Sequence, residues 1–178
     1  MSAKINWNEF VIKDKKSTTL GKTGERVHMW TVTYPRILTD SLYVVGIDPG
    51  RNYGFTILGP YGTGWVYYGK LIKHEPDEAY TRYITDEFVP EMVGMYPIHS
   101  AVVEGAAYDK TFGQVGLEAI RCGFYAGMER ICPTRIAPPS TVRKAVFGNG
   151  KTQAMDMWTT INHNAADSLA IAIYALVT

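Results

Sequence analysis

The chain has 178 residues, enough for one domain with a substantial core and too few for two of full size. Apolar residues make up 46% and charged residues 20%, which excludes a disordered or fibrous class, and no run reaches the roughly 18 apolar residues of a membrane span. The net charge of +1 excludes recognition by bulk charge, but it is unevenly spread: residues 1–41 carry +3 and residues 42–178 carry −2.

The N-terminal segment, beginning MSAKINWNEFVIKDKK, has no apolar h-region of a secretory signal. Two cysteines, Cys122 and Cys132, do not make a disulfide framework, so a reducing cytoplasm is the expected compartment. FVIKDKK and RVHMWTVTY predict two strands joined by the turn LGKTGE, a hairpin rather than a tail. Its basic surplus suits a solvated arm or an arm that contacts DNA. From Leu42 onward LYVVGI predicts a strand, DPGR a turn, YGFTILG a second strand and GWVYYGKL a third, an antiparallel meander.

PDEAYTRYITDEFVPEMVGM then carries acids in its first turn and apolar residues at helical spacing, with Pro90 set to kink or end it. The short strand SAVVEG follows. The next helix, Phe112 to Ile131, is apolar on two faces: Phe112, Val115, Ala119 and Cys122 on one, Leu117, Ile120, Phe124 and Met128 on the other. One face is expected on the sheet and the other on a second copy of the chain, with Gly116, Gly123 and Gly127 allowing close approach. The strand TRIA, the Pro-initiated helix PSTVRKAVF, the loop GNGK and a last helix within NHNAADSLAIAIYALV complete the order.

Three carboxylates stand where a structural role is hard to supply. Asp48 ends the first strand of the meander, Glu104 ends AVVEG, and Asp167 interrupts the apolar AADSLAIAIYAL. A carboxylate at the end of a core strand costs desolvation energy unless something pairs with it. If the two strands are neighbours and the last helix packs across them, the three acids meet, and their repulsion is relieved by a divalent cation. Hard oxygen donors suit magnesium or manganese rather than zinc. A hairpin turn that uses Asp as its first residue explains DPG equally well.

VVGIDPGRNYGFTIL, AVVEG, IAPPSTVRKAVFGNGK and NAADSLAIAIYAL, in this order, resemble the RuvC-type Holliday-junction resolvases of the RNase H-like superfamily. The resemblance covers about Leu42 to Thr178, setting residues 42–178 as a nuclease domain and residues 1–41 as an N-terminal extension. It implies an α/β fold with a five-stranded mixed sheet flanked by helices, and a homodimer. It also implies magnesium-dependent hydrolysis of two opposing strands of a four-way DNA junction, with manganese as a substitute. Asp48, Glu104 and Asp167 carry over as metal ligands for two ions roughly 3.5 to 4 Å apart, Asp48 bridging both. Arg143, Lys144, Lys151 and Arg51 are the expected phosphate contacts, and Tyr108, or else Phe112, the aromatic that wedges into the junction.

The pattern departs from the family in several places. Where relatives carry an acid or a histidine three residues before the last aspartate, this chain has Asn164, preceded by His163. Both are candidates for a catalytic role, and Asn164 for a weak neutral metal ligand. The segment between GNGK and NAAD is short, Ala154 stands where a lysine is expected, and the bacterial enzymes lack the extension. These features suit a phage or organellar branch, with the host cytoplasm or an organelle matrix as the compartment. Two rivals remain. The actin-like sugar kinases and chaperone ATPases share the sheet but close two such domains around ATP, and a branched-DNA-binding protein would keep the basic residues without cutting.

Overall fold

The computed structural model describes residues 6–35, 42–72, 77–105 and 115–178. Seven strands form one mixed sheet in the order β1-β2-β5-β4-β3-β6-β7. They are β1 (Val11–Thr19), β2 (Arg26–Thr33), β3 (Tyr43–Asp48), β4 (Asn52–Leu58), β5 (Thr63–Lys70), β6 (Ile98–Glu104) and β7 (Thr134–Ala137). The last five are the expected sheet. The expected count of five is corrected to seven because the N-terminal hairpin joins the sheet: β2 pairs antiparallel with β5 from Val27↔Gly69 to Thr33↔Thr63. This pairing satisfies the open edge of β5 and moves the exposed edge to β1.

β3, β4 and β5 form the expected meander, while β6 lies parallel to β3 and β7 parallel to β6. Two apolar layers flank the sheet. On one face, α1 (Asp77–Tyr83), α2 (Val89–Val93) and α3 (Val115–Glu129) cover Val45, Ile47, Phe55 and Val103. On the other, α4 (Pro139–Phe147), α5 (Ala154–Met157) and α6 (His163–Val177) cover Val44, Leu58, Val66 and Val102. Between α1 and α2 the chain makes a π-helical turn, Ile84–Phe88, so Pro90 sits in the first turn of α2, where it requires no intrahelical donor. α5 falls in the segment between the GNGK loop and α6, and Ala154, at its start, is a core residue.

The placement of α6 is decided by glycines. A Cβ on Gly46 would stand 2.2 Å from the backbone nitrogen of Ala172, and one on Gly54 would stand 1.9 Å from the backbone oxygen of Asn164. Only glycine lets the helix lie this close to β3 and β4. The buried Thr56 and Ser168 hydroxyls then hydrogen-bond across the contact at 2.7 Å. α6 starts at an Asn162 cap whose side chain accepts from the Asn164 N–H at 2.8 Å.

α3 corrects a second expectation. Gly123 and Gly127 face Ile84 and Val89 of the same chain, where a Cβ would come within 2.9 Å. The small-residue stripe is therefore filled by α1, the π turn and α2. Ile120, Phe124 and Met128 are buried in the core. The face left outward carries Glu118, Cys122 and Glu129. No helix among the described residues is long and apolar enough to cross a membrane.

Candidate functional site

The parallel register of β3 and β6 pairs Ile47 with Val103, so the next residues, Asp48 and Glu104, end adjacent strands side by side. Strand alternation turns both side chains to the α6 face, the face on which Gly46 meets Ala172. α6 brings Asp167 to the same end of the sheet. Its carboxylate acts electrostatically on both Asp48 and Glu104. The three predicted acids are thus brought together.

Their electrostatics are those of an undercompensated cluster. Burial pushes the Asp48 carboxyl well above the usual range, and Glu104 and Asp167 push it further. Burial also raises Glu104 and Asp167. The direct interaction of the Asp48 and Glu104 side chains raises Asp48 further and lowers Glu104. In this arrangement no three His, Cys, Asp or Glu side chains among the described residues stand close enough together to hold a metal ion.

Three neighbouring groups act against this charge. Arg143 lowers Glu104 and Asp167, and His163 lowers Asp167 from one helical turn away. The third, Arg121, was not singled out in the sequence. It is buried in α3, donates from Nε to the Glu104 backbone oxygen at 3.1 Å, pairs with Glu118, and lowers both Asp48 and Glu104. The signal that could have found it resembles the one that found Asp167: a charge set among apolar residues of a helix, here in AIRCGF.

Beside the acids opens a cleft of about 470 Å³ whose lining includes Pro49, Gly50, Arg51, His163 and Asn164. The DPGR turn and the start of α6 thus face each other across it. Arg51 is exposed, with its guanidinium carbon 5.8 Å from the Tyr80 ring centre. Asn164 is half-buried and His163 exposed. Arg143 is half-buried against the acids, whereas Lys144 and Lys151 are exposed. The GNGK loop folds back on the first turn of α4, where Gly150 approaches Ser140, and so keeps Lys151 at the acid end of the sheet. Tyr108 and Phe112 lie outside the described residues.

No family model and no curated protein matches the chain. Solved structures do. The structure of Thermus thermophilus RuvC is similar with a TM-score of 0.56 at 22% identity, over 76% of this chain and 94% of that one. T. thermophilus RuvC in complex with a Holliday junction substrate is similar with a TM-score of 0.51 at 21% identity, over 76% and 93%. The yeast mitochondrial Holliday junction resolvase Ydc2 matches with a TM-score of 0.49 at 13% identity, over 79% and 82%. Over about three quarters of its length the chain therefore shares the fold of the T. thermophilus RuvC structures.

Proposed function

We propose that the protein is a divalent-metal-dependent endonuclease that resolves four-way DNA junctions. The observation that carries this reading is the meeting of Asp48, Glu104 and Asp167 at one open end of a RuvC-type sheet, with too little positive charge to balance them. A RuvC structure of this fold holds a Holliday junction, which makes branched DNA the natural substrate.

The donor set fits hard divalent cations. Three carboxylates, each disfavoured as anions by burial, gain from a cation what water no longer provides. Asp48, Glu104 and Asp167 would hold magnesium, or manganese, with the Asn164 carbonyl as a neutral further ligand. When bound, two such ions supply Lewis-acid activation of a water and stabilisation of the leaving oxygen. The chain's own groups do the rest. Arg51, Lys144 and Lys151 neutralise backbone phosphates at the rim and fix the strand over the acids. Arg143 steadies Glu104 and Asp167 and extends the same positive rim. His163, beside Asp167 and open to the cleft, is a further catalytic candidate. Tyr108 is the proposed junction wedge.

Paired incision requires two such sites, so the working form is a homodimer. The N-terminal residues 1–41 are an addition to the nuclease domain at 42–178.

A second reading, junction binding without cleavage, draws on the neutral Asn164. A synthetic mobile four-way junction with and without magnesium separates the two. The nuclease reading expects paired nicks with 5′-phosphate and 3′-hydroxyl ends only when the metal is present. A shifted but uncut junction at every metal concentration would leave the binding reading.

A further inference from the structure

The line of residues that crosses the sheet at the height of Asp48 continues far beyond the acids. Asp48 pairs with Gly54, Gly54 with Tyr68, Tyr68 with His28, and His28 with Ser17. Residues paired across strands point to one face, so this row lies on the face of the acids. Neighbouring strands are roughly 4.8 Å apart, which places His28 about 14 Å and Ser17 about 19 Å from Asp48 along the row.

The outer part of that row is basic and aromatic. Tyr68 and His28 stack with ring centres 5.9 Å apart, and the Ser17 hydroxyl fixes the imidazole at Nδ1 across 2.7 Å. Arg26 and Lys70 lie two residues from His28 and Tyr68 on the same face, and both are exposed. Lys15 stands 5.7 Å over the Trp30 ring, again on this face. Burial, with Lys15 and Arg26 nearby, holds the His28 imidazole below its usual pKa. From Val11 to Thr33 five Lys or Arg residues face two acids, and one of these, Glu25, is wholly buried. The other, Asp14, sits at the bulge of β1.

The hairpin that carries this surface is fixed. The Glu91 carboxylate accepts the N–H groups of Lys22 and Thr23 at 2.9 and 2.8 Å, and Glu25 accepts from Ile72 and Tyr83. Its cations are therefore held at a set distance from the acids, as a surface that reads a rigid polyanion requires.

We propose that the face formed by Lys15, Arg26, His28, Tyr68 and Lys70 is a backbone-binding surface for a double-helical DNA arm that leaves the acid cluster across β4, β5, β2 and β1. The proposal rests on the nuclease reading and adds to it where this chain's substrate runs. Charge complementarity and continuity with the acid cluster identify the occupant, and the span of roughly 14 to 19 Å corresponds to about five base-pair steps of duplex.

The test compares the full chain with its Lys15→Gln, Arg26→Gln, Lys70→Gln triple variant by fluorescence anisotropy on a four-way junction over a range of salt concentrations. Loss of three phosphate contacts should weaken binding about tenfold or more near 0.1 M salt and flatten the log K against log salt slope by roughly 2.7. In the unmodified protein, the junction should protect Lys15 and Lys70 from amine acetylation. An unchanged slope with no protection would overturn the proposal and leave the nuclease reading intact. Binding without cleavage, with the slope still flattened in the variant, would overturn the nuclease reading and support the surface. Failure of the unmodified protein to bind any DNA would overturn both. Loss of dimer mass in the triple variant would make this face a contact between copies, and the proposal would fall.

Discussion

Glu25 is wholly buried, and its carboxylate accepts the Ile72 N–H at 3.1 Å and the Tyr83 hydroxyl at 2.6 Å. Asp48, Glu104 and Asp167 are also largely taken from water, yet Asp48 and Glu104 face each other while Asp167 adds its charge to both. Burial is common to the two places; the partners differ. A buried acid supplied with donors is a fastener, and here it ties the hairpin to β5 and α1. Buried acids turned towards one another store unfavourable electrostatic energy that an added cation can release. The two regions should therefore respond to mutation with opposite sign.

The largest effect should come from neutralising the cluster. Asp48→Asn or Glu104→Gln should reduce cleavage to below a few per cent of the starting rate while junction binding persists, because a ligand is lost and the phosphate contacts are not. The same exchanges should raise the melting temperature of the metal-free protein, since they remove a repelling buried charge. Retained cleavage, or a lowered melting temperature, would break the contrast.

Next in size is the fastener. Glu25→Ala strips the acceptor from the Ile72 N–H and the buried Tyr83 hydroxyl and should cost about 1 to 3 kcal/mol in urea unfolding. Magnesium dependence of cleavage should be unchanged in whatever fraction stays folded. A cost under about 0.5 kcal/mol, the usual range of surface substitutions, would mean the hairpin is held by strand pairing alone.

A smaller effect follows from the raised carboxyls. Unfolded Asp and Glu titrate near pH 4, and the folded cluster titrates higher. Between those limits the folded chain binds more protons than the unfolded one. Stability from this cluster is thus highest at low pH, falls as pH rises through the window, and stays lower above the folded values. Magnesium should raise the melting temperature at pH 7.5 and do little at pH 4.5. Equal shifts at both would mean the ion binds elsewhere.

How much of this was legible in the sequence depends on how local each cause is. The DPGR turn, the β3–β5 meander, α4 after its Pro139 and α6 after its Asn162 cap are set by neighbouring residues, and their order could be read directly. The meeting of Asp48 and Glu104 was conditional on β3 lying beside β6, and it does. What escaped was non-local. Nothing near Val27 says that it will pair with Gly69, so the hairpin read as an appendage rather than as two more strands of the sheet. A stripe of Gly123 and Gly127 signals close packing without naming the partner, and the partner is the chain's own π turn and α2. Arg121 was hidden because its role depends on α3 lying over the end of β6.

The smallest expected effect tests the edge of the cluster. His163 and Asn164 open α6, four and three residues before Asp167, and both line the cleft beside the DPGR turn. The backbone of Asn164 is fixed twice, by the Asn162 cap at its N–H and by the closeness of Gly54 to its carbonyl, so an exchange of its side chain leaves the helix start in place. Asn164→Asp adds a charged oxygen donor to three existing carboxylates. It should lower the magnesium concentration for half-maximal cleavage several-fold and, with no metal present, lower the melting temperature further. His163→Ala removes a group that lowers Asp167, and should slow cleavage or raise the magnesium requirement. If neither exchange moves metal dependence, rate or metal-free stability, the first turn of α6 only supports Asp167, and the site is complete with three carboxylates.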